Sequence, residues 1–199
     1  MGFEIAETRN GAPADGVRRV SCIDKSNVTR GCQLFRSTFD EVASDYPATE
    51  ADYGYIDAFM QWITRSPEHY DTVVTSNMFG DISTDLGAVL QGGMGMAASG
   101  NIGDEHAFFE PVHGSAPKHA GKNKVNPIAS INSIQMMMDY LGRKTNDDDL
   151  IAVGHLIDES VADHLKHGKM LTYDIGGTAS CSDVGISIAE RLATKLKER

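Results

Sequence analysis

Two hydrophobic periods take turns along the chain, one of two residues and one near 3.6. Arg18-Arg19-Val20-Ser21-Cys22-Ile23-Asp24 alternates as a strand does. Residues 30 to 44 place Leu34, Phe35, Phe39, Val42 and Ala43 at helical spacing. Ala51 to Ile56 reads as a second strand and Ala58 to Arg65, with Met60, Trp62 and Ile63, as a second helix. Asp71 to Thr75 is a third strand that runs through a turn at Gly80 into a third helix. Ser130 to Leu141 is apolar at Ile131, Ile134, Met137, Met138 and Leu141, a helix expected to stop at Gly142. Asp149 to Lys166 and Asp183 to Leu196 complete the helices, and Met136, Met137 and Met138 are expected to pack in a core. Alternating strands and helices predict an α/β layer fold with parallel pairing.

Small residues gather in Gln91 to Gly100, where backbones pack closely or a chain crosses between lobes, and a boundary is expected there, dividing 1–92 from 93–199. The opening, Met1 to Arg9, reads as the last turns of a helix, so the chain is expected to start inside a domain. It lacks the basic and apolar regions of a signal peptide. No run reaches the ~18 to 20 apolar residues of a membrane span.

Composition narrows the functions. The 199 residues, 41% hydrophobic and 23% charged, suit one sizeable core or two lobes sharing a sheet. A net charge of −10 argues against nucleic acid, which needs a basic stripe. Anionic small molecules stay open, because a bound metal and a few lysines reverse the field locally. Cys22, Cys32 and Cys181 form no zinc spacing and no disulfide framework, so a reducing cytoplasm is the expected setting.

The candidate chemistry lies at strand ends. Asp81 and Asp85 follow the third strand one helical turn apart, on the same face. Open α/β sheets bind ligands at such carboxyl ends, and two hard oxygen donors there suit Mg2+ or Mn2+. Taken alone, the pair would equally complement a helix dipole. Lys25 follows the first strand; alone it reads as a solvated surface lysine. Asp57 closes the second strand in Tyr55-Ile56-Asp57 and alone would be a cap. The segment from Phe109 to Pro127 carries Pro, Gly, amide and hydroxyl groups in a long loop of the kind that binds something. No G-x-G-x-x-G follows a strand, so the glycines at 92 to 95 are not a Rossmann turn.

Six segments, in order and spacing, resemble the isocitrate and isopropylmalate dehydrogenase family over nearly the whole chain. They are Asp24-Lys25-Ser26-Asn27-Val28, Tyr55-Ile56-Asp57, Ser76 to Asp85, Glu110-Pro111-Val112-His113-Gly114-Ser115-Ala116-Pro117, Asn126-Pro127, and Gly176-Gly177-Thr178-Ala179-Ser180. The resemblance implies an isopropylmalate dehydrogenase-like layered fold, incomplete on its amino-terminal side. On it, 1–92 belongs to the substrate and dimerisation domain and 93–199 to the cofactor domain. It implies metal-dependent oxidative decarboxylation of a malate-type 2-hydroxy acid with NADP or NAD. Asp57, Asp81 and Asp85 then resemble the metal carboxylates, Asp57 being supplied across a homodimer interface. Lys25 resembles the lysine that assists removal of the substrate hydroxyl proton in the neighbouring subunit, and Asn27 would face substrate or nicotinamide. His113, Gly114, Ser115, Ala116, Pro117 and Lys118, with His119, Asn126 and Tyr173, resemble the adenosine-binding side of the cofactor site.

Lys118 stands where NAD-dependent members carry an acid, and it and Tyr173 resemble the NADP-using isocitrate dehydrogenases. His119 replaces a tyrosine of that group, and Gly177 an arginine. Members are nearly twice this length, and the portion not represented carries substrate-clamping arginines and a catalytic tyrosine, so the 199 residues alone are expected not to turn over substrate. A regulatory subunit of such an enzyme, a tartrate or D-malate dehydrogenase, and a nucleotide-binding module without redox chemistry are the competing readings.

Overall fold

The structure is a computed structural model that describes residues 1–199. It divides into two compact units, Met1–Gly87 and Ala88–Arg199. The division falls inside one helix, ahead of the glycine-rich Gln91 to Gly100 stretch.

The first unit contains α1 (Gly2–Thr8), β1 (Arg19–Asp24), α2 (Arg30–Ala43), β2 (Glu50–Tyr55), α3 (Ile56–Arg65), β3 (Thr72–Thr75) and the start of α4 (Asn77–Leu90). β1 is buried along its whole length because it lies between β2 and β3, parallel to both. Val20 and Cys22 face α1 and α2, where they meet Phe3, Ala6 and Phe39. Burial pushes the Cys22 thiol up to about 12, which makes it a packing residue and not a nucleophile. At the amino ends of the strands, buried Arg19 donates to Glu50 at 2.6 Å, Asp15 at 2.9 Å and the His69 carbonyl at 2.7 Å. Beside it the Ser21 hydroxyl donates to Asp52 at 2.8 Å.

The carboxyl ends are tied differently. Asp24, paired in register with Tyr55, is 1% exposed and takes two hydrogen bonds from the Arg36 guanidinium of α2, at 2.7 and 2.9 Å. Arg36 also lies over the Tyr53 and Tyr55 rings, 5.1 and 5.5 Å from their centroids. Burial alone would raise the Asp24 carboxyl, but Arg36 and the Ser26 N–H outweigh it and hold it below the ordinary value.

The second unit holds the rest of α4, an antiparallel hairpin of β4 (Ala98–Ile102) and β5 (Ala107–Pro111), and α5 (Ile128–Thr145), α6 (Asp148–His167) and α7 (Cys181–Glu198). Met96, Ile128, Val161, Val184 and Ile188 form its core. Buried His164 of α6 pairs with the Ser187 hydroxyl of α7 at 3.0 Å, and burial lowers its proton affinity. No helix is long and apolar enough to cross a membrane.

Five sequence expectations need correction. Gly80 makes no turn: α4 begins at Asn77, so Asp81 and Asp85 fall beyond its first turn, which contains no acid. Strand β2 ends at Tyr55, and Asp57 lies in the first turn of α3 instead of closing a strand. Gly142 does not stop α5, which runs to Thr145 and ends on Asn146 in the left-handed region, φ 54°. Gly142 is needed for packing: a Cβ there would come within 2.6 Å of Ile151 Cγ1 and 2.8 Å of its backbone nitrogen. The hairpin is antiparallel where alternation had implied parallel pairing throughout. The methionines at 136 to 138 are half-buried and not enclosed in the core: Met136 and Met137 lie on the hairpin's side of α5, Met138 against Gly154 of α6.

Replacing Arg36 with Leu leaves Asp24 buried without its cation. We expect a loss of about 3 kcal/mol in urea unfolding at pH 7. The depressed Asp24 contributes stability above its unfolded value of about 3.9, and that contribution is lost as pH falls through its lower folded value. The gap between the two proteins should therefore shrink below pH ~4; a gap that stays constant from pH 7 to pH 3 would assign the loss to packing.

Candidate active site

Parallel pairing brings the ends of β1, β2 and β3 to one edge, and the candidate residues of the first unit start there. Lys25 follows β1. Its Nζ donates to Asp57 Oδ1 at 2.5 Å and lies 5.5 Å from the centroid of the Tyr55 ring. The turn beneath it is closed by N–H donation from Val28 and Thr29 to the Lys25 carbonyl, and Gln33 donates to the Ser26 carbonyl at 2.9 Å. Asn27 sits exposed on that turn. Asp57 gains from its place in α3: the Lys25 ammonium first, then the amide N–H groups of Asp57 and Ala58, hold its carboxyl below the ordinary range. A cleft of about 670 Å³ runs from Tyr55, Ala58 and Trp62 back to His69 and Asp52; neither Lys25 nor Asp57 lines it.

Asp81 and Asp85 stand one turn apart on α4, both exposed. The Thr84 hydroxyl donates to the Gly80 carbonyl at 2.8 Å and leaves the two carboxylates to solvent. Since neither lies in the first turn, neutralising a helix N-terminus does not account for them. Two oxygen donors at this spacing fit a hard divalent cation that completes its shell from elsewhere. The chain does not itself gather three acids or other metal-ligating side chains into one cluster, so Asp57 is not brought to the pair.

In the second unit the segment after β5 is held at both ends. At its start the His113 Nδ1–H donates to the Gly114 carbonyl at 2.9 Å. Ala116 then takes a left-handed conformation, φ 45°, which costs an alanine about 1 kcal/mol and opens the short 3-10 turn Pro117–His119. Gly114, Ser115, Ala116, Pro117 and Lys118 are exposed. At the far end Asn123, also left-handed, accepts from the Ser182 N–H at 3.0 Å and donates to its hydroxyl at 2.7 Å, which staples the loop to the start of α7. Asn126 is buried. It accepts from the Ile128 N–H at 3.0 Å and donates to Asp174 at 3.1 Å, so its side chain orders the turn that carries Tyr173. Gly95 lets them meet, since a Cβ there would lie 2.7 Å from Asp174 Oδ2. Tyr173 is half exposed and its hydroxyl pairs with His119 Nε2 at 3.3 Å.

Arg36, Asn123 and Asp174 shape these sites without standing out in the sequence. An arginine twelve residues after an aspartate, on a helix, carries no local signal of a buried pair. Asn123 alone had a cue, an Asn between two lysines in a loop that needs a left-handed residue.

The model of the isocitrate/isopropylmalate dehydrogenase family matches residues 1–188. The homoisocitrate dehydrogenase of Methanocaldococcus jannaschii is 45% identical over 90% of this chain and 50% of its own length. The NADP isocitrate dehydrogenase of Thermus thermophilus is 41% identical over 89% of the chain and 33% of its own length. Among solved structures, a β-decarboxylating dehydrogenase of Thermococcus kodakarensis superposes with a TM-score of 0.85 at 36% identity, covering 98% of this chain and 54% of that one. The chain thus spans between a third and about half of the length of these relatives. Six ordered motifs, the strand-end arrangement of Lys25 and Asp57, and this agreement in sequence and structure place the chain in the isocitrate/isopropylmalate dehydrogenase family.

Proposed function

We propose that these residues form the carboxyl-terminal half of a metal-dependent decarboxylating dehydrogenase that acts on a malate-type 2-hydroxy acid, of the isocitrate or 3-isopropylmalate class, with NADP preferred over NAD. The observation that carries this reading is the Lys25 ammonium held on the Asp57 carboxylate at the sheet's carboxyl edge. The first unit is then the substrate and dimerisation part, and the second the cofactor part. Three free cysteines suit a cytoplasmic setting.

Asp81 and Asp85 would hold Mg2+ or Mn2+, with Asp57 of a second copy. Such an ion would supply electrostatic stabilisation of negative charge on substrate oxygen, while NADP or NAD takes up hydride. The chain's own residues prepare for this. Asp57 stays ionised because Lys25 and two helix amides face it. Lys25 Nζ, held by Asp57 and backed by Tyr55, is oriented to assist removal of the substrate hydroxyl proton. Exposed Met78 and Ile82 share one side of α4 and support a homodimer contact along that helix. By itself the chain lacks the arginines expected to clamp the substrate carboxylates, and we expect no turnover from it. A regulatory subunit has no physical need to keep Lys25, Asp57, Asp81 and Asp85 together, which disfavours that reading.

Calorimetric titration with Mn2+ should show weak binding to the chain that an Asp81→Asn, Asp85→Asn variant loses. Equal heats from both would remove these two residues from the metal assignment. The Lys25–Asp57 pairing is checked by carbon-13 NMR titration of the Asp57 carboxyl: Lys25→Met should move its midpoint upward toward about 3.9. An unchanged midpoint would mean that the pair does not form in solution.

A further inference from the structure

Among the titratable side chains of the second unit only His164, in the last turn of α6, is buried, at 2% exposure. Its Nδ1 lies 3.0 Å from the Ser187 hydroxyl of α7, and its Nε2 is buried with no hydrogen-bond partner. Neutral, the ring leaves one nitrogen unmet; charged, it must donate from both, and the interface offers a single hydroxyl. Burial is the main reason that a proton is disfavoured there; the Met170 backbone works the other way, and the charge of Arg191, one turn beyond Ser187 on α7, adds to the burial. No acid stands ready to compensate. The start of α5, whose Ile128 and Ile131 share the core with Val161 and Leu165 of α6, carries no acid or base as far as Met138. On α6 itself Asp163 and Glu159 are taken by Lys195 of α7 at 3.0 and 3.2 Å, and His155 and His167 are exposed. Past α6, Lys169 is exposed and Asp174 is engaged by Asn126.

We propose that His164 is an acid-sensitive latch: a charge on its ring loosens α7 from α6 and, through Asn123, frees the loop that follows β5. Helix α7 is the piece able to open, because it packs chiefly on α6 and comes away as a unit when that face is broken. Its start is where the loop is fastened. The Cys181 N–H donates to the Asn123 carbonyl at 2.9 Å, and the Asn123 side chain bonds both the N–H and the hydroxyl of Ser182. Ser187 stands little more than one turn further along the same helix. With α7 open, His164 regains the ordinary histidine value of about 6.5; with α7 closed, its value is lower. The closed form therefore keeps its full advantage above pH ~6.5 and loses it as pH falls below. The carboxylates that bind Lys195 stay ionised over this range, so those ion pairs do not change with it. The latch is independent of the metal and substrate assignments.

The test is amide hydrogen exchange of the 199-residue chain at pH 7.5 and pH 5.5, read residue by residue by NMR and corrected for the intrinsic rate at each pH. Protection of the Cys181 and Ser182 amides, and of α7 as far as Ile188, should fall severalfold at the lower pH. The limit is about tenfold, the factor set by one pH unit below 6.5. Residues Ile131 to Leu141 of α5 should keep their protection. His164→Asn, which takes up no proton, should show no fall in α7. Arg191→Glu, which keeps the histidine and replaces the like charge by an acid, should cut the fall to less than half, and it serves as the test if the asparagine variant does not fold. Equal α7 protection of the wild-type chain at both pH values overturns the inference. An undiminished fall in either variant also overturns it, as does a fall shared equally by α5, which is the mark of general acid unfolding.

Discussion

A buried, two-bonded ion pair between Asp24 and Arg36 sets the geometry on which the first unit depends. Asp24 is the last residue of a strand enclosed on every side, and its carboxylate has no access to water. Such a group is tolerated only with a cation and further hydrogen bonds, which Arg36 and the Ser26 N–H provide. The arrangement joins α2 to the end of β1, and the Tyr53 and Tyr55 rings over the guanidinium join β2 to the same point. Lys25 is the next residue. Its ammonium meets Asp57 because β1 and β2 end in register and Asp57 stands one residue into the helix that β2 feeds.

The second unit solves a different problem, that of holding a long polar segment rigid without a strand. A capping box at Ser180 and Asp183 fixes the start of α7, Asn123 fastens the loop to it, and Asn126 fastens the loop to Asp174. What remains outward is the stretch from Gly114 to Lys118 and one face of Tyr173. In both units, therefore, polar groups such as Asp24, Asn123 and Asn126 find their partners within the chain, and a small set of other side chains is left outward for chemistry. In the proposed enzyme those are Lys25, Asp57, Asp81 and Asp85 on one unit and the loop from Gly114 to Lys118 on the other.

Much of this was legible in residue order. Helices α2, α3, α5, α6 and α7 announce themselves by apolar spacing, and the three parallel strands by short apolar runs between them. The errors share a cause. Gly80 and Gly142 look like breakers because glycine disfavours helices, yet tertiary packing overrides that preference; at Gly142 only a missing Cβ lets Ile151 approach. The hairpin escaped notice because Ser99, Gly100 and Asn101 are poor strand formers that β5 and α5 hold in place. Lys25, Asp57, Asp81 and Asp85 stand out as candidates only through the order of the surrounding motifs, since each alone reads as a cap or a surface charge. Arg36 stayed hidden because a turn and the start of α2 separate it from Asp24, and only folding brings the two together.

The central proposal is that Lys25, Asp57, Asp81 and Asp85 serve metal binding and proton handling in a decarboxylating dehydrogenase and are placed in advance of any substrate. Its most direct test is the stoichiometry of product formation by a polypeptide that joins these residues to the remainder of the family's length. With Mn2+, NADP and each of isocitrate, homoisocitrate, 3-isopropylmalate, tartrate and D-malate, the account predicts that at least one substrate yields carbon dioxide and reduced cofactor in equal amounts. Cofactor reduction without carbon dioxide, or no reaction with any of the five, would contradict it.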